Sequence, residues 1–167
     1  DGQTAVVAEQ RRGDLTLVDI ITGQVTRRLG PFGEIAAADI VAPDRVVVAV
    51  TGESPRLIAS ELEPAAASDT VELPLTDAPT GVCASADGRR VAVASREAHS
   101  LALFTPADFH RGPQPTSSGK RIPLPFSPGV CLWLPDHAHL LVADAYAGRL
   151  AVINAASEAV ESSREIP

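Results

Sequence analysis

Hydrophobic positions in this chain fall into short runs that recur in pairs. Ala5–Glu9 (AVVAE), Val46–Val50 (VVVAV), Val91–Ser95 (VAVAS) and Leu140–Asp144 (LLVAD) are alike, and each is too short for a stable helix and rich in β-branched or aliphatic residues. After a short polar loop each is followed by a second run: LTLVD from Leu15, LIASE from Leu57, LALFT from Leu101 and LAVIN from Leu150. The second run begins ten or eleven residues after the first in all four cases, a regularity that unrelated apolar segments would not keep. A further strand is predicted upstream of the later pairs, as IAAADIV from Ile35, GVCASA from Gly81 and GVCLWL from Gly129. These strands lead into the turns Pro43-Asp44, Ala86-Asp87-Gly88 and Pro135-Asp136, all good tight-turn chemistry. A last strand follows each pair: QVTRRL from Gln24, TVELPL from Thr70, RIPLP from Arg121 and VESSREI from Val160.

Strand, tight turn, strand, loop, strand, loop, strand is a four-stranded antiparallel meander, the unit of a β-propeller blade. The predicted fold class is therefore all-β, a β-propeller fragment of four-stranded antiparallel blades. The pattern divides into a partial blade at 1–33 and blades at 34–79, 80–128 and 129–167, the third with a long loop at 106–120. Propellers close with roughly 4 to 8 blades around a channel. Three blades and a partial one leave apolar sides open, so the expectation is a chain that continues past Pro167, or pairs with a second copy; of these, truncation is preferred. Asp1 in place of Met points the same way, toward signal cleavage or choice of fragment.

Composition narrows the interior and the partners. Hydrophobic residues make up 45% of the chain but aromatics only 4%, so Val, Ala, Leu and Ile must fill the core. A net charge of −7 and a pI near 5.0 disfavour a phosphate-binding surface, which excludes nucleic acid as the main partner. No apolar run approaches the ~18 residues of a membrane span, and no signal peptide is present. Cys83 and Cys131 form no CxxC, no haem-attachment CxxCH and no zinc-type spacing, so no cofactor is expected within this segment. They occupy equivalent positions on the innermost strands of adjacent blades and are expected as free core thiols; a disulfide would need their Cα atoms within ~7 Å.

The stretch LTLVDIITGQV, from Leu15 to Val25, resembles the bacterial YVTN-type β-propeller repeat, where a similar pattern joins the third strand of a blade to the fourth. ADGRRVAVAS, from Ala86 to Ser95, is similar to the pattern that opens the next blade in that family and in its WD-repeat-like and lactonase-like relatives. The second blade departs from it, with Asp44-Arg45 in place of a glycine turn, and the third carries its insertion between the last two strands. The resemblance implies an exported protein, periplasmic or extracellular. It also implies a place beside cytochrome c or quinoprotein-like modules in some larger proteins.

Antiparallel alternation sorts the loops onto two faces. The loops from second to third strand and the connections between blades share one face, which gathers Arg11, Arg12, Arg56, Arg96 and Arg149. Such a set around a channel mouth suits a carboxylate or phosphate; the alternative is guanidinium groups that are solvated or paired locally, with Asp14 and Glu53 nearby. In the long loop, Phe109, His110 and Arg111 are candidate contacts for a docking partner, against a tolerated insertion. His137 and His139 could share a metal but lack an evident third ligand, and His99 has no assignable catalytic partner. Asp19, Glu61, Thr105 and Asn154, at the ends of the third strands, are expected to bond the backbone of the following turn. The expected function is a non-enzymatic module that scaffolds or binds a protein or ligand, its partners including the missing blades of the same propeller. The alternative is a lactonase-like or quinoprotein-like enzyme with a site at the central channel.

Overall fold

The computed structural model describes residues 3–41, 45–62, 70–109 and 119–166. Every sheet is an antiparallel meander whose neighbours in space are neighbours in sequence. The first has three strands, β1 (Thr4–Glu9), β2 (Asp14–Asp19) and β3 (Val25–Leu29). The second runs β4 (Ile35–Val41), β5 (Arg45–Val50), β6 (Arg56–Glu61) and β7 (Val71–Pro74). The third runs β8 (Gly81–Ala84), β9 (Val91–Ser95), β10 (Ser100–Phe104) and β11 (Lys120–Pro123). The fourth runs β12 (Pro128–Trp133), β13 (His139–Asp144), β14 (Arg149–Asn154) and β15 (Ala159–Glu165). The chain is all-β, as its apolar periodicity predicts, with one short 3-10 turn among the described residues, at Pro106–Phe109 inside the long loop.

Sheet stacking explains why β5 and β9 read as unbroken apolar runs. Successive side chains of a strand point to opposite faces. Val46, Val48 and Val50 join Leu15, Leu17 and Ile35 in the core against the first sheet. Val47 and Ala49, on the other face, join Val91, Val93 and Phe104 in the core against the third. Ala92 and Ala94 then face Leu140, Val142 and Ile153 of the fourth. β13 has only one buried face: Leu140 and Val142 are buried, whereas Leu141 and Ala143 are half-buried. On the same sheet Val130 and Leu132 of β12 are 67% and 60% exposed.

Polar side chains close the corners. Asp19 Oδ1 accepts from the Ile21 and Thr22 amides at 2.9 and 2.8 Å, and Asn154 Oδ1 from Ala156 and Ser157 at 2.9 and 3.1 Å. The Thr105 corner differs from the expectation. At Thr105 the acceptor is Asp108, whose Oδ2 takes both the Thr105 amide and hydroxyl, at 2.6 and 2.9 Å. Glu61 pairs with Arg45 across the sheet at 3.9 Å, and residues 63–69 of the turn that follows it lie outside the described residues. The Pro43-Asp44 turn lies outside the described residues.

Candidate functional site

Loops 10–13, 51–55, 96–99 and 145–148 lie between antiparallel neighbours at the same end of their sheets, where the connections from sheet to sheet also run. Most of the arginines expected to gather there are engaged close to home. Arg56 donates from Nη2 to the Phe32 carbonyl at 2.6 Å and from Nη1 to Ser54 at 3.2 Å, and its Nε lies 3.3 Å from Glu72. It thereby ties the second sheet to the connection that precedes it. Arg149 and Glu165 are register partners on β14 and β15, and Nε and Nη2 reach the same carboxylate oxygen at 3.0 and 2.8 Å. Arg12 pairs with Glu9 at 3.6 Å. Arg56 and Arg149 are thus each held by partners of their own or the adjoining segment.

Two places on this face are less closed. Arg11 lines a cavity of about 480 Å³ with Gln10, Glu34, Ile35, Ala36 and Thr51, between the first and second sheets. At the junction of the third and fourth sheets, Arg96 lies over the Tyr146 ring at 5.5 Å and donates to its hydroxyl at 3.4 Å. Beside them His99 Nε2 is 3.2 Å from the Ser127 hydroxyl. His99 closes the turn after β9 with a backbone φ of 48°, a region non-glycine residues seldom occupy. Ser127 comes from the connection into β12, so only the stacking of two sheets brings the pair together. A hydroxyl against an imidazole nitrogen can hold a polar ligand, or with a third orienting group can activate an oxygen nucleophile. Among the described residues no carboxylate contacts the other imidazole nitrogen of His99.

Sequence reasoning passed over Arg121, which donates to the Ala98 carbonyl at 3.1 Å and faces Asp77 at 3.6 Å. Its residue type gave no signal, because the partners lie on different loops.

Phe109 stands apart from the docking role expected of it. It is 6% exposed and packs beside Phe104 with ring centroids 6.3 Å apart, in the core between the second and third sheets. A planar apolar ring in a polar, proline-rich segment is there because it closes that core. His110 and Arg111 lie outside the described residues.

On the opposite face His139 is bracketed by acids. Its Nδ1 is 2.6 Å from Asp136, and its Nε2 is 3.1 Å from Glu161 and 3.4 Å from Asn154. Hydrogen bonding to Asp136, reinforced by the charges of Asp136 and Glu161, raises the imidazole above its ordinary value. The same hydrogen bond, with the Ala138 and His139 amides, lowers Asp136 to about 2. His137 adopts a φ of 54° and does not share these partners. Among the described residues no group of three or more metal-type side chains is arranged to hold an ion. A second cavity, about 530 Å³, lies on this side between the third and fourth sheets, lined by Arg90, Phe104, Asp108, Lys120 and Glu158 among others. Lys120 and Glu158 form an ion pair across it.

No family model matches the chain, and no curated protein matches it. Solved structures do. A chain of hydrazine synthase from Kuenenia stuttgartiensis aligns with a TM-score of 0.76 at 19% identity, over 99% of this chain and 47% of that one. A chain of the nidogen/laminin complex aligns at 0.75 and 12% identity, over 99% and 60%. A protein of unknown function from Bacteroides caccae aligns at 0.69 and 12% identity, over 98% and 57%. This chain therefore spans about half to three fifths of their lengths. Identity this low shows fold alone, and the fold is that of a β-propeller: the sheets are its blades.

Proposed function

We propose that the chain is a non-enzymatic repeat module of a larger, exported bacterial β-propeller protein of the YVTN type. It binds a protein or ligand partner on the face that carries His99, Ser127, Arg96 and Tyr146. The observation that carries the modular reading is the far face of the fourth blade. Val130 and Leu132 are more than half exposed there, while β5 and β9, in the middle blades, are buried on both faces. An apolar sheet face of this kind needs a cover, and the occupant we assign is a further blade, since the propellers it resembles are longer by roughly a factor of two. One of those relatives comes from a complex of two named proteins, nidogen and laminin, which fits a binding role. Redox modules such as cytochrome c domains would stand beside the propeller rather than within it, and this segment itself carries no cofactor.

A second reading has one observation in its favour, the 3.2 Å contact between His99 and Ser127. It would make the face a lactonase-like or quinoprotein-like active site, and another relative is an enzyme by name, hydrazine synthase. The test is an assay of the purified chain for lactone hydrolysis and for dye-linked oxidation. The binding reading expects rates at background. Turnover that survives purification and disappears in Ser127→Ala or His99→Ala would overturn it.

A further inference from the structure

The chain's two cysteines lie on the innermost strands of the third and fourth blades and point into the same buried seam. Cys83 is 5% exposed and Cys131 7%. Within the third blade Cys83 sits opposite Ala92 in the β8–β9 ladder. Cys131 crosses from the fourth blade to that same rung, its Sγ 4.0 Å from the Ala92 carbonyl, and both residues are free thiols packed into one buried cluster. Trp133, two residues on, donates from its indole to the Cys83 carbonyl at 3.2 Å and holds β12 against β8 at this level. Two cysteines thus flank one rung across an interface that no backbone ladder crosses.

We infer that Cys83 and Cys131 are a disulfide pair that staples the third blade to the fourth. The bond forms by exchange with a disulfide oxidant. One thiolate attacks the oxidant and leaves a mixed disulfide, releasing one oxidant thiol. The second thiolate then attacks the protein sulfur of that adduct, closes the Cys83–Cys131 bond and expels the other oxidant thiol. Two electrons pass to the oxidant, and the two protons leave the protein thiols and end on the two released thiols.

Timing follows from the surroundings. Its interaction with the Cys131 thiol, burial and the charge of Asp39 push the Cys83 thiol up, so Cys83 in the folded, reduced chain offers almost no thiolate with which to react. Burial of both side chains also shuts out an oxidant, so the bond closes while the two blades are still coming together. Cys83 and Cys131 stand 48 positions apart, so the link closes a long loop and restricts the unfolded chain accordingly.

The experiment refolds the reduced, denatured chain in a mixture of oxidised and reduced glutathione, with a parallel sample in dithiothreitol. The expected product has lost both reactive thiols and the mass of two hydrogens, gives one peptide joining Cys83 to Cys131 after proteolysis, and melts above the reduced form. Folded reduced protein exposed to the same buffer should convert far more slowly. Expressing the chain in a bacterial periplasm and alkylating the denatured product reads the same bond without a refolding step. Two free thiols in both preparations would overturn the assignment, as would separate glutathione adducts or a linked product that melts below the reduced one. None of these readouts depends on the binding or enzymatic reading of the loop face.

Discussion

Asn154 shows how one short polar side chain sets a corner. Its Oδ1 accepts two successive backbone amides at the end of β14, groups that have no ladder partner where the strand turns back. Asn154→Ala removes that acceptor and should cost roughly 1 kcal/mol in urea unfolding, while Asn154→Asp should recover most of it. His139 is a titrating counterpart on the same blade. Its pKa is raised, so the stability it contributes is fully present below the ordinary value of 6.5 and lost as pH rises through the folded value. Asp136, lowered from 3.8 to about 2, contributes above 3.8 and loses its contribution as pH falls toward 2. The melting-temperature advantage of the native chain over His139→Gln should therefore be larger at about pH 5.5 than at about pH 9. An imidazole that titrates below 6.5 by NMR would contradict it.

Because each ladder ends at its own sheet, some of the polar contacts between blades run from a side chain to a backbone group. Asp39 on β4 accepts from the Ala84 amide of β8 at 2.8 Å, so a carboxylate of the second blade supplies the partner for an amide of the third. Asp39→Ala leaves that amide unpaired in a partly buried seam and should destabilise by about 1–3 kcal/mol in chemical denaturation. An unchanged midpoint would show that water replaces the carboxylate there. Close backbone approach matters as much where the first blade meets the connection to the second. Gly13, at φ 74°, sits so near Gly33 that a Cβ would fall 2.2 Å from its carbonyl oxygen. Gly13→Ala should accordingly lower the melting temperature more than Gly23→Ala, which also has positive φ but open space around it. Equal effects would place the cost in backbone conformation alone.

Taken as one body, the molecule has saturated interfaces between its blades and an unsaturated apolar face at the fourth. Both faces of β5 and β9 are buried, but Val130 and Leu132 of β12 are open to solvent. A chain prepared alone should cover that face by self-association or bind a hydrophobic dye. Replacing Leu132 with Lys should reduce both, as read by sedimentation velocity and dye fluorescence. A native chain that stays monomeric and binds no dye would argue against a further blade at this position.

Much of this architecture is legible in local pattern. Alternating or continuous apolar runs at a spacing of ten to eleven residues encode strands that pair with their sequence neighbours, and meander pairing is short-range, so the sheets and their order can be read from the chain. Asx corners at Asp19 and Asn154 are likewise local and were foreseeable. The loop-face chemistry was not. Arg96 meets Tyr146 fifty residues on, and His99 meets Ser127 across 28. Arg56 and Arg149 meet carboxylates on the last strands of their own blades. Phe109 turns inward from a segment whose composition reads as surface. Two cysteines placed on equivalent strands by the repeat share one core cluster only because β12 packs against β8. Hydrogen-bonded ladders are specified by neighbouring residues, whereas the partners of loop side chains depend on how sheets twist and stack, and only the folded chain decides that.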